Sequence, residues 1–193
     1  LAINHLIDQV QSGQELTAKQ IKSLKGLLEQ YEEPADSAVD TKASGIEAQK
    51  QAFIEKYGIK VLAESQVALT LPEGSSRIEL LNDAQKLAKK LHGQDAIWPD
   101  RLKTWEGDEA FTAKVGETLK LAVDGNVKGS TNQTRSEQES KGWNNVDLKD
   151  VAVANAAYFI ATGKDLFDGN VVRARGGALG FYSDGLDVNA YCD

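Results

Sequence analysis

One cysteine, Cys192, occurs in the 193 residues of this chain. A single thiol excludes an internal disulfide framework and a cysteine-rich zinc site, so the fold depends on packing alone. Nothing in the sequence places a base beside this thiol or lowers its pKa, as a nucleophilic cysteine requires. We therefore expect Cys192 to be a passive side chain.

Histidine is almost as scarce, and the familiar catalytic motifs are missing. His5 and His92 have no His or Cys partners at metal-ligand spacing, which predicts no metal site. His92 is expected at a helix C-terminus, where positive charge is favourable. Gly163-Lys164 lacks the other residues of a P-loop, and neither a GxSxG nor an HExxH motif occurs. The sequence therefore predicts no cofactor and no hydrolase or nucleotide chemistry.

Positive charge is in deficit. Lys and Arg number 22 against 29 Asp and Glu, which leaves a net charge of -7 at pH 7. This balance argues against broad binding to nucleic acid, which needs a basic surface. No run of about 18 apolar residues occurs, so we expect no membrane insertion. The hydrophobic content of 41% is enough for one full core, with or without a small helical appendage.

The first 45 residues are expected to form a separate region. Apolar residues at helical spacing predict two helices that form a hairpin within residues 1–31. The acidic stretch 32–45 contains Pro34 and is typical of a linker, which places a domain boundary between residues 1–45 and 46–193. A short hairpin cannot bury its apolar faces alone, so it packs either in cis or on a second copy in a homo-oligomer.

The remaining residues indicate an α+β domain with two main helices and short antiparallel strands. Capping-box patterns at Ser44 and Ser76 start helices that are expected to end at Gly58 and Gly93. The Ala-rich stretch 147–163 predicts the best helix of the chain. Alternation of apolar and polar residues predicts strands at 59–64, 66–71, 171–175, 178–182 and 186–191.

Two further signals concern the middle of the chain. Trp98, Trp105 and Trp143 could line a ligand groove, but we expect them to be core residues under loops.

Asn132-Gln-Thr134 is formally a glycosylation sequon, whereas Thr134-Arg-Ser-Glu137 is a capping box. We favour the helix cap.

The terminal stretch FYSDGLDVNAYCD (181–193) sorts its residues by type. Phe181, Leu186 and Val188 suit a core-facing position, whereas Tyr, Ser, Asp and Asn occupy the positions between them. Tyr, Ser, Asn and Gly dominate antibody combining loops, because they provide contact area and adaptable hydrogen bonds. An ordinary edge hairpin with a polar outer face is the alternative.

The segments DVAVANAAYFIATGKDLFDGN (150–170) and VVRARGGALGFYSDGLDVNAYCD (171–193) resemble the C-terminal region of variable proteins of diversity-generating retroelements. The segment LPEGSSRIELLNDAQKLAKKLHGQDAIWPDRLKTWEGDEAFTAK (71–114) is similar to the upstream portion of such proteins from uncultivated bacteria with small genomes. Together the resemblance covers about residues 71–193. It implies a C-type lectin fold of the formylglycine-generating-enzyme type and a prokaryotic source, and it leaves cytoplasmic and cell-surface locations both open.

In that family an error-prone reverse transcriptase randomises adenines at fixed positions of the variable region. By position, the resemblance implies a ligand-binding set of Gly180, Tyr182, Ser183, Asp184, Asp187, Asn189, Ala190, Tyr191, Cys192 and Asp193. It implies an invariant scaffold of Arg173, Arg175, Gly176, Gly177, Phe181, Gly185, Leu186 and Val188. The paired cysteines of formylglycine-generating enzymes are absent. The implied function is therefore non-enzymatic binding of a variable ligand, expected to be a protein.

Two other functions stay open. Asp184, Asp187 and Asp193 could act with a divalent cation in a lectin-like or enzymatic site. Alternatively, the hairpin at 171–191 could pair with another chain at its edge, as a structural protein would.

Overall fold

The computed structural model describes residues 35–125, 133–143, 146–168, 172–175, 177–182 and 185–189, together with Thr17, Val127 and Gly129. The helical hairpin predicted within residues 1–31, and with it the homo-oligomer and the cis packing, lies outside the described residues apart from Thr17. The chain consists of two compact units, Leu1–Ser44 and Gly45–Asp193.

The described residues form helices and two antiparallel sheets, which makes the fold α+β as predicted. The helices are α1 (Ala35–Lys56), α2 (Arg77–His92), α3 (Pro99–Glu106), α4 (Glu109–Thr112), α5 (Arg135–Ser140) and α6 (Leu148–Thr162). The strands are β1 (Lys60–Ala63), β2 (Gln66–Leu71), β3 (Leu119–Asp124), β4 (Val172–Ala174), β5 (Gly177–Tyr182) and β6 (Gly185–Asn189).

Helix α1 begins earlier than the sequence predicts. It starts at Ala35 and continues beyond Ser44, so the linker expected at 32–45 is wrong for residues 35–45. Gly45 stands inside the helix, where it costs only about 1 kcal/mol relative to Ala. Polar composition is shared by linkers and by solvated helices, and most described side chains of α1 between residues 44 and 52 are exposed. Composition alone therefore cannot separate the two.

The first sheet has the strand order β1-β2-β3, with both pairs antiparallel. Alternate residues of β2 are buried, because one face of the strand covers the core: Val67, Leu69 and Leu71 are at most 2% exposed. These residues lie opposite Val123, Leu121 and Leu119 of β3. The strands predicted at 59–64 and 66–71 are confirmed.

Helices α2 and α6 form the centre of the core. The predicted capping box of Ser76 and Glu79 starts α2, and Gly93 ends it in the left-handed conformation. His92 is the last residue of α2, as predicted. All residues of α6 from 151 to 160 are buried, and the helix contacts α2, β2, β3 and β5. Its many Ala side chains let neighbours approach from all sides.

The second sheet has the order β4-β5-β6 and confirms the three strands predicted after residue 170. β4 is antiparallel to β5, with Val172 opposite Leu179. β5 and β6 form a hairpin in which Tyr182 lies opposite Gly185. Within the described residues, no helix is both long and apolar enough to span a membrane.

The three tryptophans differ in burial. Trp105 is 4% exposed and stacks on Phe111 with ring centroids 4.4 Å apart, which confirms the core prediction for this residue. The core prediction is wrong for Trp98, which is 42% exposed: it is the N-cap of α3 and lies outside the helix's buried positions, Leu102 and Trp105. Trp143 is half-buried under the Lys141 ammonium.

The helix-cap interpretation of Thr134 is confirmed. Its hydroxyl accepts a hydrogen bond from the backbone N–H of Glu137, and the Glu137 carboxylate accepts one from the backbone N–H of Thr134. These two hydrogen bonds start α5. The bonds from Thr134 lower the pKa of Glu137.

Candidate functional site

The β5–β6 hairpin carries the described part of the predicted ligand-binding set. Gly180 and Tyr182 are in β5, and Asp187 and Asn189 are in β6. The other predicted ligand-binding residues lie outside the described residues, namely Ser183, Asp184, Ala190, Tyr191, Cys192 and Asp193. Among the predicted scaffold residues, Gly176 also lies outside them.

The register of the hairpin separates two kinds of position. Leu179 pairs with Val188 and Phe181 with Leu186, so apolar residues stand opposite apolar residues. Gly180 pairs with Asp187 and Ala178 with Asn189 in the intervening rows. Directly opposite residues belong to the same face of an antiparallel pair, and successive rows alternate between faces. The register therefore groups Gly180, Tyr182, Asp187 and Asn189 in one set of rows, which also contains the predicted scaffold residue Gly185 opposite Tyr182.

Arg175 connects this sheet to the N-terminus of α6. Its backbone N–H donates to the Val146 carbonyl at 3.0 Å, and its carbonyl accepts from the Leu148 N–H at 3.1 Å. Its side-chain Nε lies 3.0 Å from Oδ1 of Asp147, the N-cap residue of α6. Two backbone bonds and one ion pair thus hold the chain just before β5.

A second ion pair fixes the same end of α6 to α2. Arg77 Nε donates to Asp150 Oδ1 at 2.6 Å, and the two side chains are only 11% and 12% exposed. Asp150 stands in the first turn of α6, where the helix dipole favours a negative charge. The end of α6 that holds Arg175 is therefore itself held in place.

The loop between α6 and β4 is organised by a buried amide. Asn155 is 1% exposed, and its Oδ1 accepts a hydrogen bond from the Leu166 N–H at 2.8 Å. Asp165 lies in the same loop, and partial burial raises the pKa of its carboxyl group. The segment that follows α6 is thus held against the helix at Leu166.

A separate polar cluster joins α1 and α2, which sequence reasoning missed. The hydroxyl of the fully buried Tyr57 donates to Asp83 Oδ2 at 2.8 Å, and Lys56 Nζ donates to the same oxygen at 2.7 Å. Burial raises the pKa of Tyr57 to about 12. The hydrogen bond to Asp83 raises the pKa of Lys56. No local pattern connects residues 26 positions apart.

The described residues contain no group of three or more His, Cys, Asp or Glu side chains that could hold a metal ion. Asp184 and Asp193, which the cation-dependent alternative requires, are outside this set.

No protein-family model, no curated protein and no solved structure matches this chain.

Proposed function

We propose that this chain is a non-enzymatic binding protein that presents the residues of the β5–β6 hairpin, and those up to residue 193, to a protein ligand. In this proposal the α+β domain is a C-type-lectin-like scaffold of the formylglycine-generating-enzyme type. The ligand-binding residues are diversified by a retroelement.

The register of the hairpin is the observation that carries the proposal. The predicted variable positions Gly180 and Asp187 pair with each other, and the predicted scaffold residues Phe181 and Leu186 do the same in the adjacent row. In this proposal the substitutions fall in one set of rows, in which Gly185 is the invariant exception, and the apolar rows stay unchanged. This separation of roles is what a diversified binding surface needs.

The anchoring of Arg175 supports the same proposal. The strand that leads into the hairpin is held by Val146, Asp147 and Leu148, all at the N-terminus of a buried helix. A scaffold that is already ordered loses little conformational entropy on binding. Variation in the ligand-binding residues then changes the contacts and leaves their presentation the same.

Recognition by such a surface follows from its residue types. Tyr182 and Tyr191 supply large, rigid contact areas and act as anchors. Asp184, Asp187 and Asp193 favour partners with basic patches, because complementary charge speeds encounter and excludes acidic partners.

Sequencing of this gene's 3′ end across the source population tests the diversification. We expect substitutions to concentrate at adenine-containing codons of residues 180–193, and a nearly identical template repeat to lie in the neighbouring DNA. Uniform, scarce variation without a repeat would remove the retroelement from the proposal.

A pair of display libraries tests the surface itself. One library randomises positions 180, 182, 187 and 189, and the matched library randomises positions 179, 181, 186 and 188. We expect most members of the first library to be displayed as folded protein, whereas most members of the second are lost. Equal losses in both libraries would contradict the separation of binding and scaffold rows.

A further inference from the structure

A groove between α1 and α2 lies outside the proposed binding hairpin and has a different chemical character. It has a volume of about 300 Å³. Its lining comes from both helices: Gln49, Ala52, Phe53, Lys56, Asp83, Lys86, Leu87 and Lys90. We refer to these eight residues as the basic groove.

The floor of the basic groove is apolar. Phe53 and Leu87 are each 6% exposed and belong to the hydrophobic core, so their positions are fixed by packing. Ala52 adds a small apolar side chain at the wall. A ligand that covers this floor gains stabilisation from buried apolar area without having to order the protein.

The rim of the basic groove carries three lysines against one carboxylate. Lys56 is neutralised by Asp83 at 2.7 Å, whereas the partner of Lys90 among the described residues is the neutral Gln49 Oε1, at 3.2 Å. Lys86 is exposed, and no acidic side chain of the described residues forms an ion pair with it. The groove therefore has an excess of two positive charges on a chain whose net charge is -7.

The two uncompensated lysines are neighbours. Lys86 and Lys90 are four residues apart in α2, so they stand on the same side of the helix one turn apart and repel each other. An anion between them would relieve that repulsion. The third lysine, Lys56 of α1, donates a hydrogen bond to Asp83 of α2, which also accepts one from the Tyr57 hydroxyl. That side of the groove is therefore already ordered.

We propose that the basic groove binds a small organic anion: a carboxylate or sulfonate attached to an apolar body. The acid group pairs with Lys86 and Lys90, and the apolar body covers Phe53 and Leu87. A volume of about 300 Å³ is at the lower end of small-molecule sites, which suits a bicyclic aromatic acid or a medium-chain fatty acid. This site is independent of the ligand that the hairpin binds.

Titration of the full chain with naphthalene-2-sulfonate, followed by amide NMR shifts, tests the proposal. We expect saturable shifts at amides of α1 and α2. The double variant Lys86→Gln/Lys90→Gln should weaken binding about tenfold, since both ion pairs to the acid group are removed. The neutral analogue 2-naphthalenemethanol should bind the unmodified chain more weakly by a similar factor.

The matched control is Lys103→Gln/Lys120→Gln, which removes the same charge from exposed positions outside the groove. It should bind naphthalene-2-sulfonate as the unmodified chain does, within about twofold. Equal weakening in both double variants would show a general charge effect and overturn the proposal. Shifts confined to residues outside α1 and α2, or no saturable binding, would overturn it as well.

Discussion

Arg77 Nε lies 2.6 Å from Asp150 Oδ1, and both side chains are nearly nine-tenths buried. The two residues are 73 positions apart and join the first turns of α2 and α6. A positive charge at a helix N-terminus is unfavourable, so Arg77 gains its stability from this partner and not from its own helix. The pair thus orients the two central helices with respect to each other.

Removing one member of this pair leaves a buried charge without a partner. We expect Arg77→Ala to lower the free energy of unfolding by about 3 to 5 kcal/mol, measured by urea denaturation. The double variant Arg77→Met/Asp150→Leu should cost less than either single truncation, because no charge stays unpaired. Lys103→Ala, at an exposed position, serves as the control and should change stability by about 0.5 kcal/mol or less. A cost for Arg77→Ala as small as that of the control would contradict the prediction.

Tyr57 should make the chain sensitive to alkaline pH. Burial raises its pKa from 10.0 to about 12, so between these values the unfolded state loses the hydroxyl proton while the folded state keeps it. The stability that this group contributes is complete below pH 10 and is lost as the pH rises to 12, at up to about 1.4 kcal/mol per pH unit. Tyr57→Phe cannot ionise. Its unfolding free energy should therefore fall less steeply above pH 10, and equal slopes in denaturation series would exclude this role.

Asp165 should destabilise the fold at neutral pH. Burial raises the pKa of its carboxyl group in the folded state. The protonated carboxyl group therefore contributes fully to stability below the ordinary pKa of 3.8, and this contribution is lost as the pH rises through the raised pKa of the folded state. Asp165→Asn removes this charge and can still accept a hydrogen bond from Asn155. We expect the variant to melt at a higher temperature than the unmodified chain at pH 7, with the difference vanishing near pH 3.5. Asp124→Asn, which removes one negative charge from an exposed position of β3, is the matched control.

Gly125 is required by a close approach of two loops. Its N–H donates to the Ser65 carbonyl at 2.6 Å, and a Cβ atom at this position would overlap the carbonyl group of Leu166. We expect Gly125→Ala to cost about 1 to 3 kcal/mol, because the backbone must shift. Gly116→Ala is the matched control, since nothing lies within 4 Å of its Cβ. Thermal melts that give the same midpoint for both variants would contradict the prediction.

The sequence by itself determined the local elements. The capping box of Ser76 and Glu79, and the glycines at 93 and 163 that end α2 and α6, depend on residues within four positions of each other. The alternation in 66–71 depends only on the two faces of a strand. Such signals are complete within a short window, so they predicted α2, α6 and five strands without knowledge of the rest of the chain, whereas they gave no prediction for α3, α4 or β3.

Composition was a weaker guide where two structures share it. The polar stretch up to Ser44 is compatible with a solvated helix as well as with a linker, and its residues from Ala35 onward belong to α1. Trp98 has a large aromatic side chain of the kind found in cores, but as the N-cap of α3 it is exposed. In both cases the deciding quantity is burial, which depends on what packs against the residue.

Only the tertiary structure decided which distant residues meet. Arg77 with Asp150, Tyr57 with Asp83, and Arg175 with Asp147 are each separated by more than 25 positions. The basic groove likewise exists only because residues of α1 and α2 come together around it. The sequence predicted the alternation of the terminal hairpin, and the register then placed Gly180 opposite Asp187. Long-range pairs form when the whole core packs at once, so no local pattern encodes them.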